Sequence, residues 1–150
     1  MYLTRDHQIL FQSLNAALGD DILHDINPDE VDPPNLDTLF KLAKSQGVMA
    51  LTMDGLNFDL KSLDKELWLS WNMSVKRVEN RYARQREVLK ELGVLFRSYG
   101  IELMVLKGIG ASMHYPRPEH RESGDIDIYL MGDYEKGNEI IESMGIEVDT

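Results

Sequence analysis

The chain has 150 residues, a formal net charge of −10 and no cysteine. That length fits one domain, or one domain with part of another, and the lack of thiols excludes disulfides, thiolate metal sites and a cysteine nucleophile. The negative balance argues against nonspecific nucleic-acid binding, which depends on phosphate neutralisation, but leaves room for a small anion carried with its own metal.

No apolar run reaches the roughly 18 residues of a membrane helix, and the N-terminus lacks a signal-peptide core. A cytoplasmic protein with no membrane partner is expected. Ile9, Leu10, Leu14, Ala17 and Leu18 recur at helical spacing, with Thr4 or Asp6 as cap and Gly19 as stop. Residues 22–34 read as a solvated irregular connector, because the prolines of DINPDEVDPP break the alternation a calcium loop needs. A second helix is predicted from Asn35 or Asp37 to Lys44, stopped by Gln46-Gly47, and a short third one over 48–56. Past Ser62, the acids Asp64 and Glu66 suit a first helical turn, and the pattern then runs to about Tyr99, a rod of about 50 Å. Leu67, Trp71, Val78, Tyr82, Gln85, Leu92 and Phe96 trace one stripe of it. Arg77, Arg81 and Arg84 share another face, which can collect phosphate or, the commoner arrangement, pair with Glu79, Glu87 and Glu91.

Beyond Gly100 the character changes. Residues 102–106 read as a buried strand that breaks into Lys107-Gly108, and a short helix is predicted over 108–114. The segment from Tyr115 to Arg121 reads as a loop, in which His114 and His120 are expected to be exposed. Gly124 leads into a second apolar strand, DIDIYL, that includes the aspartate pair Asp125 and Asp127 at its start. A last helix follows the cap Asp133, and a third strand is expected to begin at Ile146. The fold class is therefore α+β. Residues 1–99 form a helical region ending in the long helix, and 100–150 form a short mixed sheet with helices.

Side chains two apart on a strand share a face about 6.5–7 Å apart, so Asp125 and Asp127 are expected to point the same way while Ile126 and Ile128 point inward. Two carboxylates on one face repel unless a cation compensates, and oxygen donors of this kind suit a divalent metal. A glycine after a strand lets a phosphate approach the backbone, with Lys107 adding a point charge. Each signal is weak alone. The turn is not a P-loop, and Gly108-x-Gly110 is not a dinucleotide fingerprint, since Met113 holds the third glycine position. Together, two adjacent strands bring Lys107-Gly108 towards the carboxylates, as metal-assisted phosphoryl chemistry requires.

The combination LKGIG…YPRPEHRESGDIDIYL resembles the uncharacterised nucleotidyltransferases of the polymerase-β-like superfamily. Leu106, Lys107, Gly108, Tyr115, Pro116, Arg121, Gly124, Asp125 and Asp127 match that pattern in order. The resemblance implies transfer of a nucleoside monophosphate from a nucleoside triphosphate such as ATP to an acceptor, a hydroxyl, with Mg²⁺. Asp125 and Asp127 would hold the metal, Gly108 would contact the triphosphate, and Lys107 and Arg121 would neutralise phosphate charge. Arg121 has a second reading as a brace for the aspartates. Ile109 follows Gly108 where the superfamily usually has serine. The superfamily's third carboxylate comes from a later strand than any here, so the chain reads as a partial protein whose activity alone is not expected. Two other classes stand beside this reading. One is a non-catalytic helical interaction module with a degenerate nucleotidyltransferase remnant. The other is a glycosyltransferase using Asp-x-Asp on a sugar nucleotide, disfavoured by the helical character of the first hundred residues.

Overall fold

A computed structural model describes residues 4–19, 33–56 and 64–148. The connector up to residue 32, Ser62 and Asp149 lie outside the described residues. The fold is α+β, mostly helical with one small antiparallel sheet. It forms two compact units, one of residues up to Arg81 with Ser112–Glu122, the other of Tyr82–Ala111 with Ser123 onward.

The first unit is built from helices α1 (Arg5–Ala17), α2 (Pro33–Ser45), α3 (Met49–Gly55) and the first half of α4 (Lys65–Ser98). Helix α1 starts after the extended Thr4 and stops before Gly19, whose φ of 82° is open to glycine without strain. Helix α2 begins earlier than its polar residues suggest. Proline suits a first helical position because its missing N–H would be unsatisfied there anyway, so Asn35 and Asp37 lie inside the helix and Asp37 pairs with Lys41. Asp64 caps α4: its Oδ2 accepts the Glu66 and Leu67 N–H groups at 3.1 and 3.3 Å.

The core of this unit gathers Leu10, Leu39, Ala43, Met49 and Trp71. Phe40 meets Trp71 edge-on at 5.5 Å, and Trp71 Nε1 donates to the Met49 carbonyl at 3.3 Å, so the buried indole keeps its hydrogen bond. Helix α3 presses its Gly55 onto the backbone of α1. A Cβ at Gly55 would stand 1.7 Å from the Ser13 carbonyl oxygen.

The loop before the aspartates is fastened to these helices by charge. Arg117 Nη1 donates to Asp54 Oδ1 at 2.7 Å, and the His120 ring lies between Asp54 Oδ2 (2.5 Å) and Glu79 Oε1 (3.3 Å). His120 is only 2% exposed, against the expectation of an exposed loop histidine. The Lys76 hydrogen bond foremost, and then that of His120, holds the Glu79 carboxyl below the usual glutamate range. A depressed carboxyl stabilises the fold above its unfolded value, and that contribution is lost as pH falls through the folded value. Asp54→Ala removes both loop contacts and strands a buried ring nitrogen, so chemical denaturation is expected to show a loss of about 2 kcal/mol.

The second unit combines the rest of α4 with β1 (Met104–Val105), the single turn α5 (Ile109–Ser112, its last residue in the first unit), β2 (Ile128–Tyr129) and α6 (Tyr134–Ser143). Phe96, Ile101, Leu130 and Ile140 form its core. The strands pair antiparallel, Met104 opposite Tyr129 and Val105 opposite Ile128. Both strands are shorter than the apolar runs suggest. Only two strands pair among the described residues, and one face, with Met104 and Tyr129, is half-exposed, so little holds the flanking residues extended. Residues 146–148 form no strand. They follow Gly145 at φ 79° without a ladder partner among the described residues.

Candidate active site

The strand ladder sets the geometry of the site. The Leu106 N–H donates to the Asp127 carbonyl at 3.0 Å, which extends the pairing one bond beyond β2. Lys107 follows at once, and its Nζ lies 3.7 Å from Asp127 Oδ2. Gly108 then reverses the chain with φ 64°, in the region that disfavours a side chain. Space forbids one as well: a Cβ there would lie 2.9 Å from Ser123 Oγ and 3.3 Å from the Asp125 carbonyl. The Lys107-Gly108 turn is thus packed directly on the segment that carries both aspartates.

Asp125 sits at a bend rather than on a strand. The physical reason is the turn at Gly108: past Leu106 the partner strand turns away from the ladder. Asp125 is exposed, and the Asp127 side chain is 37% exposed, so neither carboxylate is sealed in the core. The Lys107–Asp127 pair, with the lysine 78% exposed, is a screened surface contact worth about 0–1 kcal/mol, weak enough for a metal to displace.

Two polar atoms beside this turn are buried without a hydrogen-bond partner among the described residues, Ser123 Oγ and Gln85 Oε1. Gln85 reaches the site from α4, its Nε2 donating to the Gly124 carbonyl at 2.6 Å. A buried polar atom left unpaired costs about 1–3 kcal/mol. Gln85 falls on the apolar stripe in the sequence, where nothing local announces this contact. The one hint is a glutamine at a stripe position where its neighbours are apolar.

Arg121 belongs to the first unit with Arg117 and His120. Its guanidinium lies 5.6 Å from the Tyr115 ring centre, and its Nη1 donates to the Glu122 carbonyl at 3.4 Å. His114 is exposed. Among the described residues no three His, Cys, Asp or Glu side chains converge as a metal cluster. Asp125 and Asp127 are carried by the segment packed on the Gly108 turn, and their carboxylates are hard oxygen donors of the kind that suit Mg²⁺.

The uncharacterised nucleotidyltransferase family matches residues 32–150, and the chain belongs to that family. No curated protein matches the chain. No solved structure matches it either. Among the described residues no helix is long and apolar enough to cross a membrane.

Proposed function

We propose that the protein is a Mg²⁺-dependent, cytoplasmic nucleotidyltransferase that moves a nucleoside monophosphate from a nucleoside triphosphate to an acceptor hydroxyl. The acceptor oxygen bonds to the α-phosphorus, the bond to the bridging oxygen breaks, pyrophosphate departs and the hydroxyl proton passes to solvent. Asp125 and Asp127 hold the metal. When bound, Mg²⁺ neutralises phosphate charge and lowers the pKa of the attacking hydroxyl. Gly108 lets a phosphate oxygen approach the backbone. Lys107, exchanged from Asp127, turns its charge to the phosphates. Arg121 is the second cation assigned to them.

The observation that carries this reading is the packing of the Gly108 turn against Ser123 and the Asp125 carbonyl, with Lys107 on Asp127. The test is a thermal-shift panel of nucleoside triphosphates and sugar nucleotides with and without Mg²⁺. Stabilisation by triphosphates only when Mg²⁺ is present is the expected result. A second reading is a non-catalytic helical module, and no shift with any nucleotide would select it. A shift with sugar nucleotides alone would select the glycosyltransferase.

A further inference from the structure

The basic face of α4 does not form the ladder of pairs that its spacing suggests. Among the described residues Lys76–Glu79, at 2.8 Å, is the one ion pair between basic and acidic side chains of this helix. Arg77 and Arg81 make no ion pair among the described residues. They line a cavity of about 160 Å³ within the first unit, together with Lys44 from α2, Met49, Val78 and Glu122. Three cations and one carboxylate leave a local balance of +2 (3 − 1) in a chain whose net charge is −10.

Glu122 does not cancel that balance freely, because its Oε1 accepts the Met49 N–H at 3.2 Å, an orphan donor at the start of α3. Ser74 also lines the cavity, but its hydroxyl donates to the Ser70 carbonyl at 2.8 Å and leaves recognition to the cations. Like charges gathered on a partly apolar wall repel one another unless an anion joins them. Guanidinium forks one helical turn apart match tetrahedral oxyanions in charge and geometry. The volume is below the roughly 300–1,000 Å³ of sites that enclose a drug-sized ligand, so it takes a phosphate-sized group and not a whole nucleotide.

We propose that this cavity is a binding site for a phosphate dianion, either the free ion or the phosphate of a small monoester, separate from the aspartate pair and independent of whether the protein transfers nucleotides. The test is a heteronuclear NMR titration of the whole chain in Mg²⁺-free chloride buffer, with inorganic phosphate in one arm and glycerol phosphate in the other. Saturable shifts at Arg77 and Arg81 are expected. Saturation by phosphate alone names the free ion as ligand, and saturation by the ester alone names a monoester. Arg77→Gln and Arg81→Gln should each weaken binding about tenfold or more. Glu122→Gln keeps an acceptor for the Met49 N–H and should tighten binding, whereas Glu91→Gln, elsewhere on α4, should not change it. Asp127→Asn should leave it intact. The proposal is overturned if neither ligand saturates, if the double arginine variant binds as well with unchanged helicity, or if Asp127→Asn abolishes the shifts.

Discussion

Asp127→Asn is expected to cut Mg²⁺-dependent nucleoside triphosphate affinity by about 100-fold or more, while leaving Tm within a degree or two of the parent. Two competing effects fix the diagnostic value of that result. The first is stability. Asp127 meets Lys107 at 3.7 Å with the lysine 78% exposed, and such a pair is worth about 0–1 kcal/mol, so its loss does not unfold the protein. The second is long-range charge. The chain carries −10, and removing one negative charge makes it less repulsive to a triphosphate. Charge alone therefore predicts tighter binding, and metal coordination predicts the opposite. Calorimetric titration with ATP in the presence and absence of Mg²⁺ reads the sign directly. An unchanged or improved affinity in Mg²⁺ would remove Asp127 from the metal site, and Asp125→Asn applies the same test to its neighbour.

The second large effect is on folding. Gly55→Ala is expected to cost about 3 kcal/mol or more, a substantial part of the roughly 5–15 kcal/mol that holds a typical domain together. The added methyl would meet the Ser13 carbonyl oxygen at 1.7 Å, its carbon at 2.5 Å and the Ser13 Cα at 2.9 Å. All three are backbone atoms, so no rotamer change relieves the contact, and α1 and α3 must separate. Ser13 and Thr52 are fully buried beside this contact, and separation loosens their packing too. Alanine has the better helix propensity by about 1 kcal/mol, which is too little to reverse the sign. Gly93→Ala is the matched control. Nothing lies within 4 Å of a Cβ there, near the C-terminal end of α4, so urea denaturation should show a gain of about 0.5–1 kcal/mol. Equal effects of the two substitutions would refute the close approach of α1 and α3.

The helices were legible because their information is local. Period, cap and stop signals identified α1, α3, α4 and α6 to within a few residues, and Gly19, Gly47 and Gly145 do adopt positive φ at or just past the helix ends. The start of α2 was misread because polar residues compete with proline as an initiation signal. The turn at Gly108 was also visible, since a strand followed by Lys-Gly needs only neighbours in sequence. What stayed hidden depends on distant partners. His120 is buried because Asp54, 66 residues away, and Glu79, 41 away, are folded against it. The extent of β2 depends on where its partner leaves the sheet, so the alternation expected of Asp125 and Asp127 stops at Asp127. The arginine face of α4 had glutamates at the right spacings, but spacing permits a pair and does not compel one when both side chains remain hydrated.

The segment between the glycine turn and the aspartates has a practical consequence. It draws its moorings from far upstream: Arg117 and His120 hold Asp54, and Glu122 holds the amide of Met49. A minimal fragment trimmed to begin at the long rod would retain every side chain assigned to chemistry and the Glu79 contact, yet lose the Asp54 and Met49 anchors of this excursion. The upstream helices therefore moor the stretch between the glycine turn and the aspartates, and shortening the protein for crystallography or assay should stop short of the second helix.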